Sequence, residues 1–189
     1  MPAFEGPELN SARLRLRPLA ATDAQSLFTV YSDPAVMRYW SCAPWTALSQ
    51  AEAHISDAQA ALAAGTGLEL GIVRKSDQQL IGTCQFYYFN DQCRRAEAGY
   101  ALAKPAWGQG FMLEALTLLI SHGFAALGLI RIEAEIDPRN LSSAACLERL
   151  GFAREGHLRE RWIVEGEVSD SGLYGLLRRD WLAAPGGPE

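Results

Sequence analysis

Apolar and polar positions alternate with period two across residues 13–17, Arg-Leu-Arg-Leu-Arg, so the chain opens on a strand with its leucines inward. The three arginines of its other face either meet a polyanion or face water. Thr22 or Asp23 is placed to cap a helix through about Tyr31, and Asp33-Pro34 starts a short helical turn with proline at its first position. An alanine-rich segment after Ser49 runs to about Ala64 and stops at Gly65, which reads as a helix with a glycine end. Strands follow over 68–74 and 80–89, joined through Lys75-Ser76-Asp77, and a turn at Asn90-Asp91 leads to a third over 95–102. The longest helix is expected over 108–127, then a strand over 131–136 ending at Asp137-Pro138, then a helix over 141–150 stopped by Gly151. A hairpin over 152–164 and 168–177 turns about Glu165-Gly166-Glu167, and 176–182 reads as a last helical turn. Strands and helices mix without strict alternation, with hairpins on both sides of one strand–helix–strand unit. This is the pattern of an α+β, or mixed α/β, sheet.

At 189 residues the chain is read as one domain, 1–189, with loose ends over 1–10 and 183–189, both rich in Pro and Gly. Hydrophobic residues make up 49% and charged residues 21%, which disfavours a disordered chain, a collagen and a disulfide-stapled miniprotein. The net charge of −5 argues against a nucleic-acid partner and mildly favours a cationic one. Cys42, Cys84, Cys93 and Cys146 form no CxxC pair and have no histidine at zinc-ligand spacing, so they read as free thiols and no metal is expected. No secretory signal is visible at the amino end. The longest uncharged run, residues 115–130, is shorter than the roughly 20 residues that a membrane helix needs. A cytoplasmic protein with no membrane partner is the expectation, and a homodimer is the default form for a soluble oligomer.

The chemistry concentrates in two stretches. In the first, the strand 95–102 runs through Lys104-Pro105-Ala106 into Trp107-Gly108-Gln109-Gly110-Phe111-Met112 and straight into the long helix. Glycines let a phosphate approach the backbone, and the unpaired amides and dipole of the first helical turn favour an anion there. Alone, the pattern equally fits a tight strand-to-helix turn with no ligand. A dinucleotide fingerprint would want a third Gly or Ala where Leu113 stands, and only about 80 residues follow, too few for a doubly wound sheet, although Glu133 and Glu135 end a following strand. In the second stretch Asn140-Leu141-Ser142-Ser143 opens a helix that Leu147-Glu148-Arg149-Leu150-Gly151-Phe152 closes. Asn140 suits the cap position with its side chain free for a ligand amide, and Ser143 places a hydroxyl near the positive helix end.

Taken together, these motifs resemble the GNAT superfamily of acetyl-CoA-dependent N-acyltransferases. Within it they resemble the branch that acetylates the amino-terminal alanine or serine of ribosomal proteins. The resemblance spans nearly the whole chain and includes residues 13–17, Asp33-Pro34-Ala35-Val36-Met37, Leu80-Ile81-Gly82, residues 97–100, residues 107–115, residues 140–152, Glu155-Gly156-His157-Leu158-Arg159 and residues 170–177. It implies a twisted mixed sheet of six to seven strands flanked by helices. It also implies a bulge on the strand 97–102, which splays from the strand 131–136, with the pantetheine arm of the coenzyme in the V between them. Backbone groups of Tyr100, Ala101 and Leu102 would pair with that arm, and one N–H would hold the acetyl carbonyl as charge develops. Amides of Trp107, Gly108, Gln109, Gly110, Phe111 and Met112 would hold the pyrophosphate, and Asn140 would bind the pantetheine.

Two positions depart from the superfamily. Pro105 stands where a Gln or Arg often contacts phosphate, and Leu147 stands where many members place a Tyr as general acid. The branch instead offers a serine at Ser143, which the resemblance marks as the group that hydrogen-bonds or protonates the coenzyme A thiolate; otherwise Ser143 is only a first-turn helix residue. The expected reaction is direct attack by a neutral primary amine on the thioester in a ternary complex, without a covalent enzyme intermediate. Glu97 is the first candidate for the proton acceptor, with Glu69 and Asp170 behind it; alternatively Glu97 only pairs with an arginine or caps the sheet. Cys146 has no evident histidine partner and reads as packing. Trp40, Trp45, Tyr87, Tyr88, Phe89 and Trp162 are placed to wall an acceptor pocket under the loop 41–46, or else to pack the core. The acceptor stays open between a protein N-terminus and a small amine, and so does the acyl group between acetyl and a longer one. A coenzyme A-binding module with little catalysis is the alternative reading.

Overall fold

The computed structural model describes residues 6–183; the expected loose residues 1–5 and 184–189 lie outside the described residues. Eight strands form one sheet: β1 (Leu9–Asn10), β2 (Leu14–Pro18), β3 (Leu68–Arg74), β4 (Gln79–Asn90), β5 (Arg95–Leu102), β6 (Arg131–Ile136), β7 (Ala153–Val164) and β8 (Glu167–Leu177). Their order across the sheet is β1-β2-β3-β4-β5-β6-β8-β7, antiparallel throughout except for the β5/β6 pair. The expected six to seven strands become eight because Leu9 and Asn10, inside the segment read as loose, pair with Leu16 and Arg15. Two backbone pairings carry no side-chain period for a sequence to display.

The alternation at the start of the chain does what it predicts: Leu14 and Leu16 are wholly buried. The arginines of that face are not simply solvated, however. Arg17 forks onto Asp23 at 2.7 and 2.8 Å. Asp23 also accepts the Ala20 N–H at 2.8 Å, so its carboxylate is turned away from the helix α1 (Ala24–Tyr31) that it was expected to cap. The short α2 (Pro34–Met37) opens as expected, with the Asp33 side chain accepting the Ala35 N–H. The helix α3 (Leu48–Ala64) begins slightly before Ser49, because Gln50 reaches back to the amides of Thr46 and Ala47. It ends at Gly65 in the left-handed conformation, as expected.

The long helix α4 (Phe111–Ala125) lays Phe111, Ala115, Leu116, Leu119, Ile120 and Phe124 on one side of the sheet. There they meet Leu14, Leu70, Phe86, Ala96, Ala98 and Ile132 in the main core. A second apolar cluster joins α1, α2 and α3 to Leu19, Leu80 and Ala101. Helix α5 (Leu141–Arg149) follows β6, and α6 (Arg178–Ala183) starts two residues later than the expected helical turn, because β8 runs on through Leu177. The β7/β8 hairpin turns through Glu165 and Gly166, both at positive φ, the geometry of a two-residue turn between twisted strands. No helix among the described residues is long and apolar enough to cross a membrane.

Candidate functional site

The sheet splits in its middle. Strands β5 and β6 pair only through Arg95↔Arg131, Ala96↔Ile132 and Glu97↔Glu133. Beyond Glu97, β5 stays paired to β4 as far as Leu102, while β6 continues against β8. One edge of residues 98–102 is therefore released, and alternate residues of a pleated strand turn their N–H and C=O groups into the gap. The expected splay is present. The expected bulge lies on β4 rather than on β5: the register shifts between Tyr87 and Asn90, where Tyr88 takes φ +50°.

On one side of the split is a cleft of about 860 Å³. Tyr100, Ala101, Leu102, Trp107, Gly108, Gly110, Phe111, Met112, Asn140 and Ser143 all line it; Gln109 does not. Helix α4 begins at Phe111 and not at Gly108, because Gly108 (φ +71°) and Gly110 (φ +76°) both take the left-handed conformation that side-chain-bearing residues avoid. The helical ladder opens with Glu114 N–H to Gly110 C=O at 3.1 Å, so the amides of Phe111, Met112 and Leu113 stand ahead of it and face outward along the axis. The turn is held by side chains around it. Arg13 donates to the Gln109 carbonyl at 2.9 Å and to the Glu114 carboxylate at 2.7 Å, with its guanidinium 4.6 Å from the centre of the Phe111 ring. Gln109 folds its side chain back to the Pro105 carbonyl at 2.9 Å, and Trp107 donates to the Leu102 carbonyl at 2.7 Å. Arg38, Lys104 and Arg149 also line the cleft and add positive charge that sequence reasoning did not single out.

Helix α5 delivers the second group. Asn140 Oδ1 accepts the Ser143 N–H at 3.1 Å and the Ser142 hydroxyl at 2.9 Å. The expected cap is therefore made, and only the carboxamide nitrogen of Asn140 is left to meet a ligand, rather than the whole side chain. The Ser143 hydroxyl is 2.6 Å from that of Tyr100, across the gap on β5. Burial pushes the Tyr100 phenol above its ordinary value, and the bond to Ser143 opposes that only in part. Leu147 is wholly inside the core, and Cys146 lines the cleft with its thiol pushed up by burial, so it is a poor nucleophile.

On the other side of the split is a polar pocket of about 470 Å³, lined in part by Glu97, Glu135, Asp137 and Asp170. Tyr39, Trp40, Tyr100, Asn140 and Ser143 border both spaces, so the two adjoin at the Tyr100–Ser143 pair. Glu97 accepts the Tyr87 hydroxyl at 2.8 Å. Burial raises the Glu97 carboxyl above the ordinary carboxylate range; the Tyr87 bond pulls it down, while the nearby Glu135 and Glu133 push it further up. Asp170 is held low by the Glu160 N–H and by His157. Asp137 is held low as well, because the bonds from Arg139 outweigh its desolvation.

The structure corrects three expectations here. Glu69 lies outside both spaces, its carboxylate bonded to His54 Nε2 at 2.9 and 3.0 Å beneath α3. Trp45 stacks on Tyr31 with ring centres 4.6 Å apart, and Phe89 packs edge-on against Phe86, so neither walls the pocket. Trp40, Tyr87, Tyr88 and Trp162 do line it, with Ser41 of the loop above. Sequence reasoning missed Glu135 as a pocket group. It accepts from Ser171 at 2.6 Å and from Trp162 Nε1 at 2.8 Å, and its cue was the Glu-x-Glu spacing that puts it on the same face as Glu133. No group of three or more His, Cys, Asp or Glu side chains among the described residues is arranged to hold a metal ion.

Comparison with known proteins bears on this geometry. The family model described as an acetyltransferase (GNAT) domain matches residues 13–153. The uncharacterized N-acetyltransferase p20 of Bacillus licheniformis is 37% identical over 92% of this chain and 97% of its own. The [ribosomal protein uS5]-alanine N-acetyltransferase of Escherichia coli (strain K12) is 29% identical over 62% of this chain and 61% of its own. In fold, the spermidine N-acetyltransferase of Vibrio cholerae, solved in complex with CoA and spermine, superposes with a TM-score of 0.81 at 22% identity, covering 91% of this chain and 99% of that one.

Proposed function

Because this chain belongs to the GNAT acetyltransferase family, we propose that it moves an acetyl group from acetyl-CoA to a primary amine that enters from the acidic side of the split sheet. The observation that carries this reading is the seam: a cleft built on free helix-terminal amides and an acidic pocket meet where β5 leaves β6. Acetyl-CoA supplies an activated acetyl thioester; the rest of the chemistry falls to this chain's own residues.

The residues fit that donor. The amides of Phe111, Met112 and Leu113, with the two glycines that leave room before them, suit a diphosphate. The released edge of Tyr100, Ala101 and Leu102 suits the amide-bearing arm, and the Asn140 carboxamide nitrogen adds a donor beside it. A β5 N–H facing the gap holds the acetyl oxygen as negative charge grows on it. Ser143 stands at the α5 N-terminus, where its hydroxyl and the helix dipole both favour a departing thiolate. Glu97 takes the proton that the attacking amine gives up, and its raised carboxyl sits closer to the working pH than an ordinary one.

The acceptor pocket selects for positive charge. Glu97, Glu135, Asp137 and Asp170 line it; Arg139, His157 and Arg161 already bond Asp137, Asp170 and Glu135, so Glu97 is the lining carboxylate best placed to meet an incoming ammonium. The acceptor class is therefore a primary amine borne on a cationic molecule, either a protein N-terminus or a small amine. The test is thiol release from acetyl-CoA with a panel of a polyamine, a basic peptide with a free N-terminus and an acidic peptide. The cationic acceptors should release thiol in step with N-acetyl product. Thiol release with none of them, or a preference for the acidic peptide, contradicts the proposal.

A further inference from the structure

Tyr100 and Ser143 come from different elements, yet their hydroxyls stand 2.6 Å apart, and both residues border the coenzyme cleft and the acidic pocket. A bond between two hydroxyls has one donor. The phenol is the stronger acid, so the favoured arrangement has Tyr100 donating and Ser143 Oγ accepting. The proton of Ser143 is then turned away from Tyr100 and is free to point into the cleft that Ser143 lines. Ser143 cannot drift from this position easily, because Asn140 Oδ1 holds its N–H. Neighbouring groups do not compete for the role. The Ser142 hydroxyl is spent on Asn140, and Leu147 is buried and apolar.

Resting on the acetyl transfer proposed above, we infer that Tyr100 and Ser143 form a two-hydroxyl relay that protonates the departing sulfur. As the acceptor nitrogen bonds to the acetyl carbon, the C–S bond breaks and its electron pair stays on sulfur. Ser143 gives its proton to that sulfur, and Tyr100 gives its phenolic proton to Ser143 Oγ. Water in the open pocket restores the Tyr100 proton, and the proton that Glu97 took from the amine returns to the same water. One proton leaves nitrogen and one reaches sulfur. The titratable groups that act on the phenol are Cys146 from α5 and Tyr174 from β8; Glu97, three residues back on its own strand, lies on the opposite face. Burial keeps the phenol protonated at neutral pH, as a resupplying acid requires.

The experiment is steady-state transfer from acetyl-CoA to a cationic amine. Tyr100→Phe keeps the ring and removes the hydroxyl. It should lower kcat roughly tenfold or more while leaving the KM for acetyl-CoA within about twofold. The Tyr100→Phe/Ser143→Ala double variant should lose no more than Ser143→Ala alone, as groups acting in one chain do. Replacing Tyr100 by 3-fluorotyrosine, which keeps the ring and the hydroxyl, should hold kcat within about threefold of wild type, a rescue that a packing role filled by phenylalanine would not need. Wild-type kcat in Tyr100→Phe, additive losses, or a 3-fluorotyrosine protein as slow as Tyr100→Phe each overturn the relay while the transferase reading stands. A wild type that transfers acetyl to no amine overturns both.

Discussion

The guanidinium of Arg13, one residue ahead of the second strand of the sheet, donates to the main-chain carbonyl of Gln109 at 2.9 Å and so ties down the glycine turn. Glu114 completes the clamp, accepting from Arg13 Nε at 2.7 Å and from the Ser11 hydroxyl at 2.6 Å. A loop that must present several amides at once gains affinity from being fixed before the ligand arrives. Arg13→Gln should therefore raise the KM for acetyl-CoA roughly three- to tenfold, with kcat and the acceptor KM close to wild type. Initial rates against each substrate in turn check this.

Gly110→Ala tests the turn itself. With φ at +76°, an alanine costs about 1–2 kcal/mol of backbone strain in this conformation. The built Cβ would sit 3.6 Å from the Arg13 guanidinium, an ordinary contact, so the effect is conformational and not a clash. If the variant relieves the strain by moving its amides, coenzyme A affinity should fall roughly tenfold, since 1.4 kcal/mol is one decade. Calorimetric titration with coenzyme A measures it.

Glu97 gives a pH signature. Its carboxyl is raised by burial, so the deprotonated base is lost as pH falls through a value above the ordinary carboxylate range, and kcat/KM should show an acidic limb there. The Tyr87 bond lowers that value, so Tyr87→Phe should move the limb to higher pH. Glu97→Gln should lower kcat by roughly 10²-fold across the range and erase the limb. Rate–pH profiles of the three proteins decide the point.

A second pH effect belongs to stability and not to turnover. His54 is bonded to Glu69 between α3 and β3. Desolvation alone would lower the His54 value, but the hydrogen bond and charge of Glu69 outweigh it and raise it. A raised histidine stabilises the fold fully below the unfolded value of about 6.5, and that contribution is lost as pH rises through the folded one. The Tm deficit of His54→Gln should thus be largest at acidic pH and shrink toward alkaline pH. Thermal melts over a pH series show the trend.

What the sequence made legible was local. The alternation around Leu14 and Leu16, the glycine stop at Gly65 and the cap at Asn140 each depend on residues within a few positions of one another. The glycine turn was also visible, although the helix begins three residues later than periodicity suggests, since left-handed glycines cannot enter it. The rest depends on contacts that span the chain. Arg13 meets Gln109 across 96 residues, Tyr100 meets Ser143 across 43, and Glu135 meets Ser171 across 36. No spacing rule reports such pairs, because strand order in the sheet creates them. The same holds for Trp45 and Phe89, whose aromatic character told of burial but not of which cluster would take them.

The arrangement as a whole answers to one measurement, a crystal structure of the protein bound to coenzyme A. The account predicts diphosphate oxygens on the amides of Phe111, Met112 and Leu113, the pantetheine arm along the free edge of Tyr100–Leu102, and the sulfur within hydrogen-bonding reach of Ser143 Oγ. A coenzyme seated elsewhere, or a sulfur turned away from Ser143 and toward the bulk solvent, would contradict it.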